Sequence, residues 1–207
     1  MDSLGDLMQK TLMMLHGLTG SAELMEPFAN KICPTNFNLI VPNGTFKHDT
    51  KGYCWWHYEI NKDEKSKHDL EINETLLKEI HSSINYLSAL LPKSGDVIIG
   101  GFSQGGVMAQ IMMLSELSSR ISGLLLLGTR AMDNEKLRHA IKNLNPVPIL
   151  WMHGYSDEII KYEDSMNIVK IFEDEGWNVT KISHKKGHMI PLEFHQQIID
   201  FINNNLN

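Results

Sequence analysis

Six short runs of almost unbroken apolar residues punctuate the chain, at 11–17 (TLMMLHG), 37–44 (FNLIVPNG), 96–102 (DVIIGGF), 123–129 (GLLLLGT), 147–154 (VPILWMHG) and 177–183 (WNVTKIS). A strand with one wet face alternates apolar and polar residues. A run without that alternation is covered on both faces, which is the condition of strands in a parallel sheet. The intervening segments have helical character, near 21–32, 69–91, 104–118, 133–143, 161–175 and 191–205. The clearest is 69–91, where Ile72, Leu76, Ile80, Ile84, Leu87 and Leu91 recur every three or four positions before Pro92 stops the pattern. Strand–helix alternation of this kind predicts a three-layer α/β fold: a mostly parallel sheet of about six strands with helices on both faces. The 207 residues are expected to form a single domain over 1–207, with no separate lid. The stretch 42–68 is too long for an ordinary connection and is expected to be an irregular loop over the site.

Charge narrows the partners. The formal net charge is −6, and the only basic cluster is Lys185-Lys186, too small to track a phosphate backbone. Nucleic acid is therefore not an expected partner. The first residues carry no basic region followed by a long apolar one, and no stretch reaches the length that spans a bilayer, so neither a signal peptide nor integral membrane association is expected. Cys33 and Cys54 are too few for a disulfide framework and read as free thiols of a reducing, cytoplasmic setting.

The third apolar run leads into Gly101-Phe102-Ser103-Gln104-Gly105-Gly106. A strand that becomes a helix within a few residues needs small neighbours and pushes its apex residue out at the carboxyl end of the sheet. That is the G-x-S-x-G elbow, with the strand before it and the helix after it that the motif requires. The segment lacks G-x-G-x-x-G and comes late in the chain, so no dinucleotide or other cofactor is expected. A serine hydroxyl needs a base, and the base an orienting carboxylate, in the chain order Ser, Asp or Glu, His. Asp157 lies just past the fifth apolar run and His188 just past the sixth, with Glu158, Asp164 and His184 as rivals. His184 and His188 have i, i+4 spacing, but Gly187 and the preceding strand argue against a helix there, and no metal is expected. The oxyanion of an acyl transfer needs two backbone donors. One is the N–H of Gln104, and the second should come from the loop after the first strand, His16-Gly17-Leu18-Thr19-Gly20.

The segments LHGLTG, GFSQGGVMAQ, HGYSDEIIKYED and KGHMIPLE occur in the order seen in α/β hydrolases. They resemble, more narrowly, the phospholipase/carboxylesterase group that includes the acyl-protein thioesterases. The resemblance runs from about residue 11 to 200 and implies an α/β-hydrolase fold; as a departure from it, only ten residues precede the first strand, so the leading strands of the full hydrolase sheet are expected to be missing or reduced. It implies Ser103 as nucleophile, Asp157 as orienting carboxylate, His188 as general base, and the N–H groups of Leu18 and Gln104 as the oxyanion hole. Gly52-Tyr53-Cys54-Trp55-Trp56-His57-Tyr58 is similar to the aromatic motif of the family, so Trp55 and Trp56 are candidate substrate-binding residues, with packing of the loop onto the body as the alternative reading. The implied substrate is a small-molecule acyl ester or thioester, with acylated protein and lysophospholipid as further candidates. Residues 127–140 look unlike the thioesterases and more like other α/β hydrolases, which touches the acyl-binding part of the site but not the triad. The same triad serves lactonases and peptidases. A non-catalytic binding protein of this fold would be expected to have lost one of its members.

Overall fold

The computed structural model describes residues 10–57 and 72–205. Its six long apolar runs become β1 (Thr11–Leu15), β2 (Asn38–Ile40), β5 (Val97–Phe102), β6 (Ile121–Leu127), β7 (Ile149–Gly154) and β8 (Val179–His184). They form one sheet in the order β2-β1-β5-β6-β7-β8, and every pairing is parallel. Between them lie α1 (Ala22–Ile32), α2 (Glu74–Leu90), α3 (Gln104–Met113), α4 (Asn134–Ile141) and α5 (Tyr162–Asp174), and α6 (His195–Asn205) closes the described chain.

The lack of apolar/polar alternation has the expected consequence. Successive strand residues enter two separate cores. Met13, Ile99, Leu124, Leu126 and Trp151 pack on one face with apolar residues of α2, α3, α4 and α5. Leu12, Ile98, Leu125, Leu127 and Met152 pack on the other with Met25 and Ala29 of α1 and Ile198 and Phe201 of α6. The fold is the three-layer α/β arrangement read from the sequence.

Element ends depart from expectation where capping decides them. Asn73 caps α2, its Oδ1 accepting the Leu76 N–H at 2.9 Å, so the described helix begins at Glu74. The expected start at 69 lies outside the described residues. Helix α3 stops at Met113, short of the expected 118, where a 3₁₀ turn over Ser118–Arg120 takes over. The expected helix at 191 begins instead as a 3₁₀ turn, Leu192–Phe194, and becomes α-helical at His195. The irregular stretch holds a small antiparallel ladder, β3 (Phe46–Lys47) with β4 (Tyr53–Cys54); its portion from 58 onward lies outside the described residues. No helix among the described residues is long and apolar enough to cross a membrane.

The strand order positions the site. From β1 the chain steps to β2 on one side and later to β5 on the other. The crevice at the carboxyl ends of β1 and β5 is therefore a topological switch point, where open α/β sheets bind ligands.

Candidate active site

Strand β5 ends at Phe102 and α3 starts at Gln104, leaving Ser103 alone to make the turn. Its backbone sits at φ 53°, ψ −117°, a region that L-residues rarely adopt. Several bonds hold it there. Its N–H donates to Leu127 O at 2.9 Å, and its carbonyl accepts from Gly106 and Val107 N–H and, at 2.8 Å, from the Thr129 hydroxyl. The glycines around it are a matter of clearance. A Cβ on Gly101 would lie 2.2 Å from the carbonyl carbon of Gly105, and one on Gly105 would lie 2.3 Å from Leu15 O. Strand, helix and the neighbouring β1 are thus closer than any side chain permits.

Asp157 and His188 lie in the loops after β7 and β8. Those loops are tied together beyond the ladder, since Tyr155 N–H donates to His184 O at 2.7 Å and Ser156 Oγ to Lys185 O at 3.0 Å. Asp157 is buried, and its Oδ1 accepts the N–H groups of Ile159 and Ile160, each at 2.9 Å. Its Oδ2 faces His188 Nδ1 at 2.7 Å. A carboxylate only accepts, so Nδ1 carries the hydrogen, and the neutral form of the imidazole has its lone pair on Nε2. The His188 ring packs on Phe102, the neighbour of Ser103, with ring centroids 4.7 Å apart. No hydrogen bond joins Ser103 Oγ to another described residue. The structure thus brings Asp157 and His188 into contact and sets the imidazole beside the elbow.

The rivals stand elsewhere. Glu158 is exposed and makes no bond to His188, and Asp164 lies in the first turn of α5. His184 is buried against Phe194, its Nδ1 without a partner among the described residues. Burial, first of all, holds its pKa below the ordinary histidine value. Burial likewise pushes the Cys54 thiol up to about 11, so it stays protonated at neutral pH. Among the described residues no three His, Cys, Asp or Glu side chains gather as a metal site requires.

Trp55 and Trp56 differ from the expectation that they meet substrate. They are 0% and 1% exposed and sit within the core beneath the site. Trp55 spends its indole N–H on His16 O at 2.9 Å, and its ring stacks on the His16 imidazole. An indole offers so much apolar area that inward packing outweighs a place at the rim. Leu18, by contrast, is half-buried in the turn after β1, next to Thr19 at φ 62°. Gln104 is the first residue of α3, where backbone amides have no intrahelical partner.

Two histidines without a role in the sequence reading belong to this region. His153, fully buried on β7, places Nε2 2.9 Å from Ile160 O and 3.2 Å from Asp157 Oδ2. Burial is the main reason its pKa lies below the ordinary value, opposed by the Ile160 carbonyl and by Asp157. His16 is also buried and also held low by burial. The common signal is a His-Gly pair at a strand's carboxyl end, His16-Gly17 and His153-Gly154.

Comparison with known proteins agrees with this architecture. Residues 3–206 match the family model described as Phospholipase/Carboxylesterase. The chain belongs to the phospholipase/carboxylesterase family. Acyl-protein thioesterase 1 of Cryptococcus neoformans var. neoformans is 26% identical over 165 residues, covering 73% of this chain and 68% of the relative. Esterase PE8 superposes with a TM-score of 0.77 at 21% identity, covering 97% of this chain and 94% of that one. SOBER1 of Arabidopsis thaliana does so with a TM-score of 0.73 at 18% identity, covering 96% and 100%. Likeness at these structural identities speaks for the fold, and the family assignment rests on the model match across the chain.

Proposed function

We propose that this member of the phospholipase/carboxylesterase family is a serine hydrolase that cleaves carboxylic ester or thioester bonds of small to medium acyl substrates through an acyl-enzyme. The observation that carries the reading is the 2.7 Å contact of His188 Nδ1 with Asp157 Oδ2, beside a serine held at φ 53°. The carboxylate fixes the imidazole tautomer with its free Nε2 available as base.

In the proposed reaction Ser103 Oγ attacks the acyl carbon and its proton passes to His188 Nε2. The carbonyl oxygen becomes an oxyanion held by the N–H groups of Leu18 and Gln104. As the tetrahedral species collapses, the bond to the alcohol or thiol breaks and His188 returns the proton to the leaving group. Water then repeats the sequence on the acyl-serine and frees the acid. Hydroxyl–imidazole contacts of this kind commonly close only in the substrate complex. The rim supports an apolar acyl group: Ile159 is 63% exposed beside Asp157, and Met189, next to His188, is also exposed. The name of the acyl-protein thioesterase relative supports thioesters and acylated proteins among the substrates, the family's description as phospholipase supports lysophospholipids, and the two free cysteines support a site of action in the reducing cytoplasm.

Labelling with a fluorophosphonate and hydrolysis of p-nitrophenyl esters of rising chain length, with one thioester and one amide, test the reading. Ser103→Ala should abolish labelling and lower turnover by about 10⁶-fold. Full esterase activity in that variant would refute the assignment. Activity confined to the amide or to a lactone would redirect it to a peptidase or lactonase.

A further inference from the structure

Only two non-glycine residues among the described ones have positive φ, Thr19 at 62° and Ser103 at 53°. Each adjoins one of the proposed oxyanion donors, Leu18 and Gln104. The two strained turns belong to different loops, so something must fix their separation. One buried chain of hydrogen bonds connects them. The Gln104 side chain is buried: its Oε1 accepts the Trp55 N–H at 3.0 Å and its Nε2 donates to Trp56 O at 2.9 Å. The Trp55 indole then donates to His16 O at 2.9 Å. The His16 ring lies against that indole, 5.0 Å between centroids, donates from Nδ1 to Gly17 O at 2.7 Å and accepts the Gly44 N–H on Nε2 at 2.8 Å. The same segment grips the far side of the first loop, where Tyr53 N–H donates to Gly20 O at 2.8 Å.

We propose that the Gln104 side chain, the Trp55 indole and the His16 imidazole are positioning residues that set the spacing of the Leu18 and Gln104 amides for the oxyanion. The inference rests on the serine-hydrolase reading and deepens it. Each residue type is required by its bonds. A glutamate at 104 has no hydrogen to give Trp56 O, and two oxygens would face each other. A phenylalanine at 55 keeps the ring but drops the bond to His16 O. A histidine at 16 can donate from one nitrogen and accept at the other only while neutral, and its burial keeps it so. All three side chains are buried and spend their polar groups on backbone atoms, so they act on the reacting oxygen through the backbone they hold.

The test uses the full chain with Trp55→Phe and Gln104→Glu. Fluorophosphonate titration counts working sites, p-nitrophenyl butyrate gives kcat per site and KM, and a trifluoromethyl ketone reports the tetrahedral oxyanion adduct. Misplacing a preorganised donor is expected to lower kcat per titrated site by about 10- to 100-fold. KM should change by less than about threefold, and the inhibition constant of the ketone should rise by the same factor as kcat falls. A kcat per titrated site within about fivefold of wild type overturns the proposal, including the case where fewer sites titrate but each works normally. If Trp55→Phe fails to fold, benzothienylalanine at position 55 replaces only the indole N–H by sulfur and is read by the same criteria. Wild-type protein that is folded yet never labelled at Ser103 sinks the hydrolase reading and this one together. Normal labelling with unaffected variants sinks this one alone.

Discussion

Replacing Asp157 by asparagine changes one atom and, in this geometry, the tautomer of His188, the proposed base. Oδ1 accepts two backbone N–H groups, from Ile159 and Ile160, each at 2.9 Å. An asparagine must keep its oxygen there. Turning the amide over would leave these two N–H donors facing an NH2, unsatisfied at about 1–3 kcal/mol each. The flipped form is therefore several kcal/mol higher, and the NH2 occupies the place of Oδ2, 2.7 Å from His188 Nδ1. An amide nitrogen only donates, so Nδ1 must become the acceptor and the imidazole hydrogen moves to Nε2. His153 Nε2, 3.2 Å from the same position, keeps its hydrogen on Ile160 O; it offers the new NH2 no acceptor, and the crowding of the two donors offsets part of that preference. With Nε2 protonated, the base has no lone pair for Ser103. Wrong-tautomer substitutions of this kind cost about 10⁴-fold in kcat, or about 5 kcal/mol of barrier. Steady-state hydrolysis of p-nitrophenyl butyrate measures the loss, and thermal melting followed by circular dichroism confirms that the variant is folded. An Asp157→Asn protein with a wild-type melting curve and kcat within tenfold of wild type would refute the reasoning.

Two stability experiments probe the scaffold. In Gly101→Ala the new methyl would stand 2.2 Å from backbone atoms of Gly105, which cannot rotate aside. Helix α3 must shift, and urea denaturation should show a loss of about 3 kcal/mol or more; an unchanged midpoint would contradict the close approach. The second concerns pH. His16, His153, His184 and His195 are all held below the ordinary histidine value, in each case chiefly by burial. The unfolded chain therefore binds more protons than the native state once the pH falls below about 6.5. This stabilisation is complete above that value and is lost as pH drops towards the folded values. His57 has the opposite sign, since its hydrogen bond to Glu79 raises its pKa, and its contribution is lost only as pH rises through the folded value. With four groups against one half-exposed group, the urea midpoint should fall between pH 7.5 and pH 5; a flat or rising profile would count against buried neutral imidazoles.

Much of the fold is written in short-range terms. The unbroken apolar runs around Met13, Ile99, Leu125 and Leu150 announce strands covered on both faces, and both cores confirm it. Gly101 and Gly105 mark a strand and helix too close for a Cβ, and the loop positions of Asp157 and His188 follow from chain order alone. Each of these signals depends on neighbours a few residues apart, so it survives without coordinates.

What the sequence does not contain is the list of partners that folding brings from far away. Trp55 and Trp56 have the residue type of a substrate wall, yet a buried indole gains more by packing on His16 and the core than by facing water. Gln104 shows its place at the elbow but not that its amide spans Trp55 and Trp56, 49 and 48 residues away. His153 stands only four residues before Asp157, yet the pattern of the segment does not show that the chain turns back after β7 to set its Nε2 against Oδ2. Sequence by itself determined the strands, the elbow and the chain order of the proposed Ser103, Asp157 and His188, because periodicity and steric clearance are local. Tertiary structure alone decided which polar atoms meet, because a buried donor or acceptor takes whatever complement the sheet order and loop closure deliver.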